Sequence, residues 1–315
     1  MKFALSTFFS IFLLVSKSLA VETLLANSPG DIAKDAHLAN INALLIFTSQ
    51  DGLNTGLFHF TKVGVDMEIY NLPFKHHFKS SSKINYFLVG NIGYSRVFVS
   101  KNAILPPNIQ FDYRNHLRTY TAGVGAGVRY KFTEELSFLG GLELIYSRSG
   151  ASVKKPNDDV GNVIEDFFNK NYNDNISYKF FAETIYKPKL KDINPYLKIA
   201  YKFYDTKSEF TFKKFTSFTS ESSVVSASLG LESNELYRYD KNYLTLEGYL
   251  NFNYLNGSVE KSVKFSTYEK TGAVAYWYID DDGPSWIKRF FIEGSSVYSD
   301  GLSGYNLGVG FTIDY

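Results

Sequence analysis

Thr119-Tyr120-Thr121-Ala122-Gly123-Val124-Gly125-Ala126-Gly127-Val128-Arg129-Tyr130-Lys131 alternates two kinds of residue without a break. Tyr120, Ala122, Val124, Ala126, Val128 and Tyr130 form an apolar set that ends in tyrosines. Thr119, Thr121, three glycines, Arg129 and Lys131 form the other. Successive side chains of a strand point to opposite faces, so the stretch predicts a strand with one apolar face and one small or charged face. Thr133-Glu134-Glu135 reverses the chain. Leu136, Phe138, Gly140, Leu142, Leu144 and Tyr146 then alternate with Ser137, Leu139, Gly141, Glu143, Ile145 and Ser147. Period 2 held over roughly ten residues exceeds the usual soluble strand and fits a tilted strand that crosses a bilayer.

The same rhythm recurs on both sides of this hairpin. Ile84, Tyr86, Leu88, Ile92 and Tyr94 mark one strand, Tyr178, Phe180, Ala182 and Tyr186 another, and Leu197, Ile199, Tyr201 and Phe203 a third. Val225 to Leu231 and Leu244 to Tyr254 follow, with weaker runs near Leu53 to Thr61, Val65 to Phe74, Phe265 to Tyr278 and Trp286 to Tyr298. With the terminal strand the expectation is an all-β, antiparallel, up-and-down transmembrane barrel of about 12 strands, within a range of about 10–14. Short polar connections near 79–82, 132–135, 188–194, 233–241 and 279–285 alternate with longer ones near 96–116, 148–175, 206–221 and 255–263. The tight connections at 62–64 and 299–303 break that alternation. Short turns belong on the side of both termini and long loops on the other.

Composition agrees with many amphipathic strands. Aromatics make up 17% of residues, with 24 Tyr and 28 Phe, and no cysteine is present to build a disulfide, a zinc ribbon or a thiol nucleophile. A formal net charge of +1 argues against nucleic acid as a partner. Met1-Lys2, the apolar run Phe3 to Val15 and the small residues ending at Ala20 have the three parts of a secretory signal peptide, cleaved near Ala20. The chain thus divides into a leader at 1–20, an N-terminal segment at 21–50 and a barrel at 51–315. Ser28-Pro29-Gly30-Asp31 resembles a helix start, and Ile32 to Leu44 keep roughly helical spacing. This segment reads either as a short helix in or below the lumen or, from Leu44 to Phe47, as the opening of a first strand.

At the other end Tyr305, Leu307, Val309, Phe311, Ile313 and Tyr315 alternate with Asn306, Gly308, Gly310, Thr312 and Asp314. A final aromatic with apolar residues at every second position before it resembles the signal read by the β-barrel assembly machinery of outer membranes, although phenylalanine is commoner than tyrosine at the last position. Physically, an unpaired strand lends its backbone hydrogen bonds to the insertase. The leader, the strand count and the helix-like segment together resemble the translocator barrel of autotransporters. With only about thirty residues between Ala20 and the first strand, the chain looks like a solitary barrel of that kind without a passenger. Met67 to Phe74 looks similar to an early strand of that family. The resemblance implies an outer-membrane location in a Gram-negative bacterium, contact with outer-membrane lipid, and no catalytic residues or cofactors.

The chain has five histidines, His37, His59, His76, His77 and His116. His116 with Asp112 and Asn115 is the best candidate for a rim hydrolase but lacks a nucleophile motif; a solvated rim histidine is the simpler reading. His76-His77 has no further metal ligands nearby in sequence. Asp158-Asp159, Glu165-Asp166 and Asp280 to Gly283 lack calcium-loop spacing, and turn chemistry accounts for the last of them. Gly123, Gly125 and Gly127 precede no helix, so they make room in a lumen and do not cradle a phosphate. The strand phases point Arg129, Lys131, Lys179, Lys198 and Lys202 inward with Glu143, Glu183 and Glu247. Paired, these charges would stiffen the barrel or grip a plug; hydrated, they would line a pore with a mild preference for anions. Two functions therefore stand: a non-enzymatic, autotransporter-like barrel with a structural or surface-interaction role, or a narrow porin-like pore for small polar or anionic solutes. The rim hydrolase is a remote third.

Overall fold

The structure, a computed structural model, describes residues 53–78, 83–105, 109–153, 172–191, 193–211, 217–279 and 287–313. The expected leader, the 21–50 segment, His37, the acidic pairs of 158–166, the Asp280 to Gly283 turn and Tyr315 lie outside the described residues. Strands run at β1 Leu53–Phe60, β2 Val65–His77, β3 Ile84–Leu105, β4 Ile109–Lys131, β5 Leu136–Val153 and β6 Tyr172–Tyr186. They continue at β7 Ile193–Phe210, β8 Phe218–Ser233, β9 Tyr237–Tyr239, β10 Asn242–Gly257, β11 Thr267–Tyr278, β12 Ile287–Tyr298 and β13 Ser303–Ile313. Except at β9, each strand pairs antiparallel with the next. β13 returns to β1, from Leu53 opposite Val309 to His59 opposite Ser303. β9 is a three-residue return paired with the start of β10; without it the sheet closes as a 12-stranded antiparallel barrel. Closure leaves no unpaired backbone at a sheet edge, the condition a sheet must meet to cross hydrocarbon.

The faces follow the alternation. Val124, Leu142, Ile292 and Leu307 stand outward, more than 60% exposed, while Thr119, Ser149, Asn173 and Asn175 on the inner face are fully buried. A soluble protein does not expose so continuous an apolar belt, so the wall is built for an apolar surrounding. On β5 the outward apolar run from Phe138 to Tyr146 is close to the ~10 residues that a tilted spanning strand needs. Aromatic residues border the belt at both ends: Tyr86, Tyr130, Phe138 and Tyr186 near the termini, and Tyr70, Tyr94 and Tyr120 at the far end. There Tyr94 lies 6.1 Å from Tyr70 and 5.1 Å from Tyr120, ring centre to ring centre.

The strands reach into three of the expected long loops, and 96–116 is almost wholly strand. β3 and β4 stay in register from Ile84 opposite Tyr130 to Leu105 opposite Ile109, through the stretch 96–116. β5 runs to Val153 and β7 to Phe210. Polar outward residues there end the lipid-facing pattern without ending the backbone ladder, so the hairpins continue into water as ordinary two-faced β-structure. The stretch 255–263 also differs from expectation. Ser258–Val263 forms a short helix, α1, entered through Gly257 at φ 84° and closed by Lys264 in the left-handed region. Its sequence is poor for a helix; what holds it is the burial of Val259 and Val263, one turn apart on the same face.

That burial is part of the apolar core. Phe58, Phe60, Val65, Met67, Val224, Leu255, Tyr268 and Val297 point inward near the far end. With Val63, Phe265, Leu302 and the two α1 valines they form one cluster, to which Ile145 and Tyr204 also belong. Phe60 and Phe265 stack at 6.3 Å. The tight β1–β2 and β12–β13 connections lie beside it, tied by the Thr61 N–H donating to the Gly301 carbonyl at 3.1 Å.

Candidate functional site in the barrel lumen

Inside the barrel, charged side chains pair with neighbours along the wall. Glu143 of β5 accepts a bond from Lys179 of β6 at 2.7 Å and another from the Asn91 amide of β3. Its place is prepared by β4: a Cβ on Gly123 would collide with Asn91 and Glu143, and one on Gly127 with the Phe87 ring. The glycine stripe thus makes room for inner-wall side chains of adjacent strands. Phe87 packs there with Leu139 and Phe181. Lys198 of β7 meets Glu183 of β6 at 3.2 Å. Arg129 donates to Ser137 at 3.2 Å, Lys202 lies half-buried on the inner face of β7, and Lys131 is exposed at the end of β4.

Glu247 belongs to a larger network near the termini. It accepts hydroxyl bonds from Tyr196 at 2.7 Å and Tyr276 at 2.9 Å. Beside it, Glu232 accepts from Thr245 at 2.7 Å and Tyr278 at 2.9 Å. Arg289 donates to Tyr278 at 2.6 Å and stacks over Tyr276 at 3.9 Å. Glu293 accepts from Lys270 at 2.7 Å and from the Tyr249 hydroxyl. Glu232, Lys270, Arg289 and Glu293 were missed by sequence reasoning. For Lys270, inward Tyr268, Tyr276 and Tyr278 on β11 blurred the alternation that gives a residue its side, although the order Tyr268, Lys270, Gly272, Val274 has the charged and small members of a lumen face. Glu232 continues the clean phase of β8, and Arg289 and Glu293 alternate with the outward Phe290 and Ile292 of β12, so phase alone could have found them.

Beside the apolar cluster, the inner wall of β4 to β10 carries a lattice of small polar side chains. Thr119 and Ser149 share a bond of 2.8 Å, as do Ser177 and Thr206. Asn173 donates to Ser208 at 2.8 Å, and Ser226 donates to Asn253 at 2.7 Å. Buried polar groups bonded in this way hold strands in one register and rigidify the wall.

The remaining candidates separate. His59 lies 2.6 Å from Asp66, exposed at the far end; His76 and His77 pack against Phe78 and Phe87. His116 faces outward on β4, its Nδ1 3.5 Å from an Arg96 nitrogen and its ring edge-on to Phe98; the side chains of Asp112 and Asn115 lie outside the described residues. Among the described residues no group of three or more metal-ligating side chains comes together. At the termini end, Lys189 holds the Glu134 carboxyl below its ordinary range, and Arg238 does the same for Glu235. In the terminal strand Tyr305, Leu307, Val309 and Phe311 face outward, and β13 is paired on both sides.

No protein-family model matches the chain, and no curated protein does. Solved structures do. The translocator domain of autotransporter NalP from Neisseria meningitidis is similar at a TM-score of 0.58 and 13% identity, over 89% of this chain and 95% of that one. The transport unit of the autotransporter AIDA-I from Escherichia coli gives 0.55 and 9%, over 92% and 100%. The beta domain of the Bordetella autotransporter BrkA gives 0.53 and 8%, over 82% and 96%. At such identities the likeness is one of fold, and the fold is the closed 12-stranded barrel of autotransporter translocator domains.

Proposed function

We propose that this chain is a non-enzymatic β-barrel of a Gram-negative outer membrane, exported by cleavage near Ala20, whose role is structural or an interaction at the cell surface. The observation that carries this reading is the closed interior. One apolar cluster drawn from most of the strands, with α1 folded into it, occupies the far end of the lumen, and the inner acids are bonded to wall neighbours. A permanently open aqueous channel calls for hydrated inner groups instead. With both termini in the periplasm, the extended β3–β4 and β5–β6 hairpins project from the cell and form the surface for interaction. Before closure the terminal strand, Tyr305 to Tyr315, is free to pair with the barrel assembly machinery.

The half-exposed inner lysines Lys198 and Lys202 favour a second reading, a narrow pore for small polar or anionic solutes. Single-channel conductance of the mature chain in a planar bilayer separates the two. The sealed reading expects little or no current, and a current that appears when residues 28–48 are deleted together with Phe60→Ala and Phe265→Ala. A steady, anion-preferring current through the unaltered chain sinks it. His116→Ala is expected to leave lipid and peptide hydrolysis, if any is found, unchanged.

A further inference from the structure

Just beyond the far-end tyrosines, the outer wall carries arginines on three consecutive strands. Arg96 of β3 and Arg118 of β4 are direct cross-strand partners and both point outward, and Arg148 of β5 stands beside them. Like charges placed opposite each other weaken a sheet, and among the described residues no acid compensates this pair within ion-pair distance. Glu68 is the cross-strand neighbour of Arg96 on the other side. Arg96 nevertheless leans away from it, over the Phe98 ring at 4.4 Å and toward His116 at 3.5 Å. Its Nε is buried without a hydrogen-bond partner. The nearby acid, Asp174, is already committed: Arg148 grips both its oxygens, at 2.7 and 3.0 Å, and the Tyr146 hydroxyl donates at 2.6 Å. The result is a pair of guanidinium groups with spare donors, flanked by a histidine.

Depth identifies the partner. Tyr94 and Tyr120 lie two residues along the same strands and mark the membrane interface, while Ile92, Val124 and Leu142 continue the apolar belt below. An anion at the arginines therefore sits at headgroup level, with its acyl chains against that belt. Guanidinium binds phosphate through paired, planar hydrogen bonds. We propose that Arg96, Arg118 and His116, flanked by Arg148, bind the phosphorylated diglucosamine headgroup of lipopolysaccharide. This rests on the reading above that the end far from the termini lies in the outer leaflet.

Native mass spectrometry of the full mature chain in detergent tests it, with rough-type lipopolysaccharide, the same lipid stripped of its phosphates, and phosphatidylglycerol as probes. The expected result is retention of the phosphorylated lipid at least tenfold stronger than of either other probe, reduced at least tenfold in R96Q/R118Q. R96K/R118K, which keeps the charge but loses the fork, should fall between. Equal binding of the phosphate-free lipid or of phosphatidylglycerol overturns the proposal, as does unchanged binding by R96Q/R118Q. If R96Q/R118Q loses its heat-modifiable gel band and is not folded, the three-lipid comparison on the unaltered chain decides alone. Cell fractionation keeps the two readings apart. Absence from the outer membrane overturns the membrane reading, whereas outer-membrane protein without phosphate preference overturns the lipid site only.

Discussion

β3 to β7 run 22, 23, 18, 15 and 18 residues, whereas β11, β12, β13 and β1 run 12, 12, 11 and 8. The long side lines its upper interior with serine, threonine and asparagine and carries arginine on its outer rim. The short side ends in tight connections and fills its upper interior with Phe58, Phe60, Val63, Val297 and Leu302. The two sides fill the upper interior by different physics. One pairs small polar groups with each other; the other packs apolar side chains, with the Asn306 amide nitrogen left among them without a hydrogen-bond partner. Apolar packing is non-directional and tolerates the sharp bends of short connections. Paired hydroxyls and amides need the regular spacing that only long, registered strands supply.

Substitutions on each side can break the contrast. Phe60→Ala removes a buried ring from the short side, with an expected loss of about 3–5 kcal/mol. It should lower the urea midpoint of the heat-modifiable band and, in the chain that lacks residues 28–48, raise bilayer conductance. Glu143→Ala on the long side leaves Lys179 buried without its carboxylate, at an expected loss of about 3 kcal/mol. The same urea titration checks it, and conductance should not rise, because the seal is elsewhere. Thr206→Val keeps shape but orphans the Ser177 hydroxyl, for about 1 kcal/mol. Adding Ser177→Ala should restore much of that loss. If the double variant is no better than the single, the lattice is not held pairwise and the contrast between the sides fails.

The long side was also the legible one. From Tyr120 to Tyr146 each strand has one apolar face and one of small or polar residues broken only by Leu139 and Ile145, so alternation marks the strands and the inward position of Glu143 and Arg129. The terminal strand was readable for the same reason. On the short side, inward valines and phenylalanines of β1, β2 and β12 put apolar residues on both faces and erased the period-2 signal. The seal, and the membership of α1 in it, were therefore invisible. α1 could not be read locally at all, because Val259 and Val263 are helical only through what they pack against. The length of the β3–β4 hairpin is not legible, because polar residues in 96–116 mark where lipid ends and leave the backbone ladder intact.

The pairing of β1 with β13 has a kinetic consequence. Leu53 meets Val309 across nearly the whole described chain, the costliest kind of contact to form by diffusion. No smaller ring can serve as a stepping stone, since β12, paired with β11, and β1, paired with β2, each keep one open edge until β13 arrives. Assembly is therefore all-or-none and gated by the last strand to be made. A chain interrupted before β13 cannot close at all, and its exposed strands become a substrate for aggregation or proteolysis.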